Sequence, residues 1–300
     1  MINTLAQLRE AVKQQQDSVL AVANAQDNEV LSAVNQAYEA GFASAILVGD
    51  QEKIITLCQE ENIDYSRYQI IDEKDPATAC LKAVELVSSG KADVLVKGLV
   101  DTSIYLKAIL DKEVGLRSDK LLSHVALFEV KGYDRLLYVC DVAMNVAPDL
   151  AGKKAILENA VEVAHKLGNP DPIVAGVCAV EKVNEKMQAT LDAKSLVNMQ
   201  ESGQISGCKV VGPLALDNAV SVEAAHHKGI TNELAGRADI LLMPDIEAGN
   251  ILYKALVFLA YAENAGVILG AKAPIVLTSR ADSDTAKLNS IALALYLARS

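Results

Sequence analysis

Four stretches of this chain put chemically capable side chains where a buried-type apolar run gives way to a helical pattern. The densest lies near the end, in "APIVLTSRADSDTAKLNSIALALYLA" (273–298). There an apolar run stops at Thr278, Ser279 and Arg280, passes Asp282, Ser283 and Asp284, and resumes with helical spacing. A guanidinium offers planar paired donors that match phosphate, and the adjoining hydroxyls add neutral donors. Asp282 or Ser283 also suits an ordinary helix cap, but a cap leaves Arg280, which precedes it, unexplained. In "PDIEAGNILYKAL", Asp245 and Glu247 complement a helix amino terminus. Gly249 and Asn250 inside that helix start are unfavourable unless the backbone must approach something closely. "VKGLVDTS", with Lys97, Gly98 and Thr102, fits either an anion loop or a plain turn and cap. "CDVAMNVAP" adds Asn145 at a fourth strand end. Ligands of open α/β sheets gather at such carboxyl ends, where helix amino termini present unpaired N–H groups.

Several other chemistries lack their residues. No G-x-x-x-x-G-K-[ST] occurs and no G-x-G-x-x-G follows a strand, so the usual nucleotide loops are missing. His226 and His227 are adjacent and would face different sides of a helix, and His165 lies on an exposed-looking helix, so neither site suggests a metal. His124, at the start of a strand, reads as a buried structural histidine. Five cysteines are scattered without a C-x-x-C pair, which argues against disulfide scaffolding and structural zinc. The net charge of -11 disfavours a nucleic-acid or anionic-membrane partner and leaves any anionic substrate dependent on local cations. Hydrophobic residues reach 51% and charged ones 22%, enough for a packed core, while no apolar stretch approaches the ~18 to 20 residues of a bilayer span. The amphipathic start "MINTLAQLREAVKQQQ" has no signal core, and the expectation is a cytoplasmic protein.

The elements that must position these residues follow from period. "SVLAVANA", "ASAILVGD", "YQIID" and "ADVLVKG" alternate with amphipathic helices, and continuous Val/Ile/Leu runs between helices imply parallel strands covered on both faces. "HVALFEV" and "RLLYVCD" are joined by only four residues, 131–134, so they should form an antiparallel hairpin. Alternation then returns with "PIVAGVCAV", "CKVVGPLAL" and "ADILLMPD", and closes with "APIVLTSR" and a final helix. A hairpin inside a βα series predicts two α/β domains: residues 1–133 plus 272–300, and an inserted 134–271, with a cleft between them.

Assembled, these segments resemble the phosphate acetyl/butyryltransferases, closest to the butyryl branch. "PLALDNAVSVEAAHHKGI", "AGRADILLMPDIEAGNILYKAL" and "SRADSDTAKLNSIALA" look like the family's successive blocks in order. "ADVLVKGLVDTSIYLKAILDKEVGLRSDKLLSHVALFEV" and "VCDVAMNVAPDL" look like its amino-terminal blocks. The resemblance implies two domains of the isocitrate/isopropylmalate-dehydrogenase-like type with mostly parallel sheets, no metal and no nicotinamide. It implies reversible transfer of an acyl group between CoA and inorganic phosphate, giving acyl phosphate. CoA and acyl-CoA enter as substrates rather than as bound cofactors, and the family forms homodimers or larger homo-oligomers. Ser279 and Arg280 match its Ser-Arg pair at the acyl phosphate, Arg117 a second phosphate-site arginine, and Lys107 falls near another. The acetyl branch carries an aspartate base seven positions after the serine, where this chain has Ala286. Val142 likewise replaces a family cysteine.

A thiol of pKa near 8.5 attacks a carbonyl well only as thiolate, so a base or a nearby cation helps. With Ala286 in the family base's place, that base is absent, supplied by Asp282 or Asp284, or unnecessary in this branch; the preferred reading is Asp282 as base with Ser279 as donor. Arg280, Arg117 and the last helix's amino terminus would hold the phosphate and the developing oxyanion. The contending readings are phosphate acetyltransferase, a metal-dependent decarboxylating dehydrogenase, and a catalytically silent binding protein, for which Ala286 is the best argument.

Overall fold

The structure is a computed structural model that describes residues 1–14, 18–277 and 282–299. In chain order its elements are α1 (Leu5–Lys13), β1 (Val19–Ala23), α2 (Asn28–Glu39), β2 (Ser44–Gly49), α3 (Gln51–Glu60), β3 (Gln69–Asp72), α4 (Pro76–Ser88), β4 (Val94–Lys97) and α5 (Thr102–Ile109). The hairpin strands β5 (Ser123–Glu129) and β6 (Leu137–Cys140) come next. They are followed by α6 (Leu150–Lys166), β7 (Ile173–Val177), α7 (Gln188–Glu201), β8 (Lys209–Leu214), α8 (Leu216–Val220), α9 (Val222–His227), β9 (Ile240–Leu242) and α10 (Ile246–Phe258). The last elements are β10 (Glu263–Leu269), β11 (Ile275–Val276) and α11 (Asp284–Arg299).

Two compact α/β units form. A flanking unit takes Leu5–Lys120 and Ala265–Ser300, and a central unit takes Met1–Thr4 and Leu121–Asn264. The chain thus passes between them before the hairpin and just inside β10, not at the predicted 133 and 272. A hairpin's two strands pair along their length, Val125 with Cys140 and Phe128 with Leu137, so both belong to one body.

In the flanking unit the strand order is β3-β2-β1-β4-β11-β10. The first five run parallel and β10 is antiparallel to β11. Residues 20–23 of β1 are fully buried, as a parallel strand covered by helices on both faces requires. The central unit orders its strands β5-β6-β9-β7-β8, parallel apart from the hairpin. Both units therefore have the mostly parallel α/β build expected. Aspartates close the strand-to-helix junctions: Asp27, Asp50, Asp75, Asp149 and Asp245 each accept a hydrogen bond from a first-turn N–H.

One element escaped the sequence reading. The apolar pattern of α10 runs on towards Gly266, yet the helix ends at Phe258 and residues 263–269 form β10, which returns through 270–274 into β11. Tyr261 turns the chain in the left-handed region, φ +52, with no glycine or proline to mark the stop.

Candidate active site

In the flanking unit, β1, β4 and β11 end side by side, Ala23 beside Lys97 and Val96 beside Val276. The chain leaving β4 folds back on β1: Gly98 N–H donates to Ala23 O (2.8 Å) and Leu99 N–H to Asn24 O (2.8 Å). A methyl group at Gly98 would stand 2.1 Å from Asn24 O, so this turn admits only glycine. Asn24, which sequence reasoning missed, is buried at φ +53, and its Nδ2 donates to Pro76 O (3.0 Å) and Cys80 Sγ (3.2 Å). Asparagine tolerates the left-handed region better than most residues, the one signal that could have found it. Thr102 is exposed as the first residue of α5, and Lys107 is exposed in its last turn.

Arg117 is also exposed, and its backbone bridges to Ala271. Lys272 N–H to Leu116 O (2.8 Å) and Ser118 Oγ to Gly270 O (2.5 Å) fix the segment on either side. It therefore sits beside the turn that enters β11. Ser279 and Arg280 follow that strand's exit and lie outside the described residues. Beyond them Asp282 is half-buried, and Ser283 Oγ, not a carboxylate, caps α11 through Ala286 N–H (3.2 Å). Ala286 itself is buried. Lys287, also missed, is buried as well, with its Nζ on Asp282 O and Glu29 Oε2, both at 2.8 Å.

In the central unit the loop after β6 and the start of α10 are stitched together. Asp141 is buried, its Oδ1 accepting from Ala143 and Met144 N–H (2.8 and 3.0 Å) and its Oδ2 from Asn145 Nδ2 (2.6 Å). The same Asn145 amide donates to Leu122 O (2.9 Å). Met243 N–H meets Cys140 O (2.6 Å), and Ile246 N–H meets Val146 O (3.0 Å). Asn250 Nδ2 meets Val142 O (3.2 Å). The close approach that Gly249 foretold is to this chain's own backbone: a methyl there would lie 2.2 Å from Asp141 O. Asp245 is the helix cap, accepting from Ala248 N–H (2.8 Å). Asn145, Asp245, Gly249 and Asn250 are thus gathered at one strand edge, holding the loop in shape. His124 is buried, its ring edge-on to Tyr253 (6.4 Å), whose hydroxyl accepts from Asn264 Nδ2 (3.1 Å).

All five cysteines are free and buried. Burial pushes the Cys80, Cys178 and Cys208 thiols up to about 11 and Cys140 higher still, so none is a ready nucleophile. Among the described residues no cluster of His, Cys, Asp and Glu could hold a metal ion.

The family model described as Phosphate acetyl/butaryl transferase matches residues 3–79 and 76–295. A phosphate butyryltransferase from Clostridium beijerinckii is 51% identical over 298 residues, 99% of either chain. A phosphate acetyltransferase from Thermotoga maritima is 47% identical over 279 residues, 93% of this chain and 95% of its own. Among solved structures, a branched-chain phosphotransacylase from Enterococcus faecalis V583 superposes with a TM-score of 0.84 at 34% identity, covering 94% of this chain and 99% of that one. Matched along nearly its whole length, the chain belongs to the phosphate acetyl/butyryl transferase family of enzymes.

Proposed function

We propose that this enzyme transfers a short-chain acyl group, butyryl or a branched analogue, reversibly between CoA and inorganic phosphate. The full-length likeness to a phosphate butyryltransferase carries the reading. Towards acyl phosphate, a phosphate oxygen attacks the thioester carbonyl, the C–S bond breaks, and CoA leaves as a thiolate that takes up a proton. In reverse the thiolate attacks the acyl phosphate carbonyl and phosphate departs. Ser279 and Arg280 are assigned to the phosphoryl oxygens and the tetrahedral oxyanion, where preorganised donors act most strongly. Asp282 is assigned the thiol proton. Arg117, Lys107 and Thr102 are the further substrate contacts of the flanking unit. Asn145, Asp245, Gly249 and Asn250 shape the substrate-facing loop of the central unit. The transfer balances with CoA as a substrate and without a tightly bound cofactor or metal.

Transfer of acetyl is the second reading, favoured by the 47% identical phosphate acetyltransferase. Phosphate-dependent thiol release from acetyl-, propionyl-, butyryl- and isobutyryl-CoA tests both, and release from none of them would remove both.

We further assign the enzyme to a homodimer or larger homo-oligomer. The support is α10 and the turn after it, where Ile251, Phe258, Leu259 and Tyr261 are 69%, 51%, 79% and 86% exposed. An apolar cluster of that size on a soluble chain marks an interaction site. Free cysteines fit the reducing cytoplasm, and among the described residues no helix is long and apolar enough to cross a membrane.

A further inference from the structure

The carboxyl edge of the central sheet holds a recess that the residues described above do not line. β6, β9 and β7 lie side by side, Cys140 beside Leu242 and Leu242 beside Gly176, so the loops that leave them emerge along one edge. The loops after β6 and β9 carry Asn145, Asp245, Gly249 and Asn250. The loop after β7, residues 180–186, surrounds an open recess of about 600 Å³, a usual size for a small-ligand site. Its shape is set locally. Buried Thr190, in the first turn of α7, accepts from Asn184 N–H (2.9 Å) and donates to Met187 O (2.8 Å), and Asn184 Oδ1 accepts from Lys186 N–H (3.0 Å). The remaining donors are left over. Lys182 and Lys186 are exposed, and their ammoniums have no partner among the described residues. The same holds for the N–H groups of Val180, Glu181, Lys182, Val183 and Glu185. α7 starts without a side-chain cap or an acidic residue in its first turn, so the helix adds positive potential there.

Unpaired N–H groups and two ammoniums around a concavity suit an anion. Two further residues of the loop narrow the choice. Glu185 is exposed and unpaired among the described residues, whereas Glu181 meets Lys228 at 3.6 Å. A free carboxylate repels bare phosphate but accepts from an amino group. Val183, 49% exposed, offers an apolar face beside it. We propose that the loop after β7 binds the nucleotide end of CoA, with Lys182 and Lys186 on its phosphates, Val183 against the adenine ring and Glu185 on the adenine amino group. The inference rests on the acyl-transfer reading, in which the neighbouring loops of this edge face the substrate. Strands lie ~4.8 Å apart, so this loop starts about 10 Å along the edge from the one after β6. That offset is too great for the reacting carbonyl and suits the far end of a long thioester.

The test is the double variant Lys182→Ala, Lys186→Ala in the whole enzyme, assayed with butyryl-CoA and with butyryl-pantetheine, which lacks the nucleotide. Both side chains are exposed, so the fold is not at stake. Losing two charge-assisted contacts should raise the butyryl-CoA KM about tenfold or more, while the butyryl-pantetheine and phosphate KM values stay within about twofold of wild type. The pair Lys182→Arg, Lys186→Arg, which keeps both charges, should hold the butyryl-CoA KM within about threefold. An unchanged butyryl-CoA KM, an equal rise for both thioesters, or a rise confined to phosphate overturns the proposal. If butyryl-pantetheine turns over too slowly to measure, adenosine bisphosphate, the nucleotide end of CoA alone, decides as an inhibitor. Inhibition about tenfold weaker in the alanine variant supports the proposal, and equal inhibition, or none of either enzyme, overturns it. Wild-type enzyme separates the layers. No phosphate-dependent thiol release from it takes down the acyl-transfer reading and this proposal together, whereas an active wild type with an indifferent alanine variant removes this proposal alone.

Discussion

Arg280 carries the heaviest expectation of any single residue, because in a chain of net charge -11 a polyanionic substrate depends on a few local cations. Arg280→Ala should raise the phosphate KM and cut turnover by about two orders of magnitude, the scale of losing a transition-state anion contact. Steady-state kinetics on folded protein with near-normal constants would refute this role. Asp282→Asn tests the proton acceptor. Its defect should be largest at low pH, where free thiolate is scarce, and should shrink towards pH 9 as solution deprotonation takes over. A pH-independent defect would assign Asp282 a structural part. The same profile shown by Asp284→Asn instead would move the base to the first turn of α11. The need for a close approach at Gly249 was legible in the sequence. The identity of the approaching group was not, because Asp141 lies more than a hundred residues away and nothing local encodes which backbone it will meet. Lys287 was illegible for the opposite reason: a lysine in a helical pattern reads as a solvated face, and only the fold buries it.

Elements were read best where length forced the answer. Four residues between two apolar runs leave no room for a crossover helix, and the antiparallel β5–β6 pair is what formed. β10 was hidden because its first residues, Glu263 and Asn264, are polar and the apolar pattern of α10 runs nearly up to them. The unit boundaries shift with these two elements. The packing of α10 against the loop after β6 gives a test at this scale. Gly249→Ala should lower stability by about 1 to 3 kcal/mol, as for other overpacked sites, because the Asp141 carbonyl has to move. Thermal or denaturant unfolding measures it. An unchanged midpoint would mean that α10 slides away freely and that the loop is not held as described.

Across the whole molecule the acidic composition is partly architectural, since aspartates cap five of the helices that follow strands. That charge is no guide to the substrate's sign. The exposed apolar residues of α10 bear on assembly. Phe258→Lys should shift a sedimenting oligomer towards monomer, and an unaltered wild-type oligomer would place the contact elsewhere. A thiol reagent can follow the reaction itself, because the enzyme's own five cysteines are buried and burial raises their pKa values, leaving little thiolate to compete. The most direct measurement is therefore phosphate-dependent release of CoA thiol from acetyl-, propionyl-, butyryl- and isobutyryl-CoA under matched conditions. Each methylene buried in an apolar pocket contributes about 0.8 kcal/mol, roughly fourfold in kcat/KM, so the four-carbon substrates should exceed acetyl-CoA by about an order of magnitude. A higher kcat/KM for acetyl-CoA would contradict the butyryl assignment, and no phosphate-dependent release from any of the four would contradict the account as a whole.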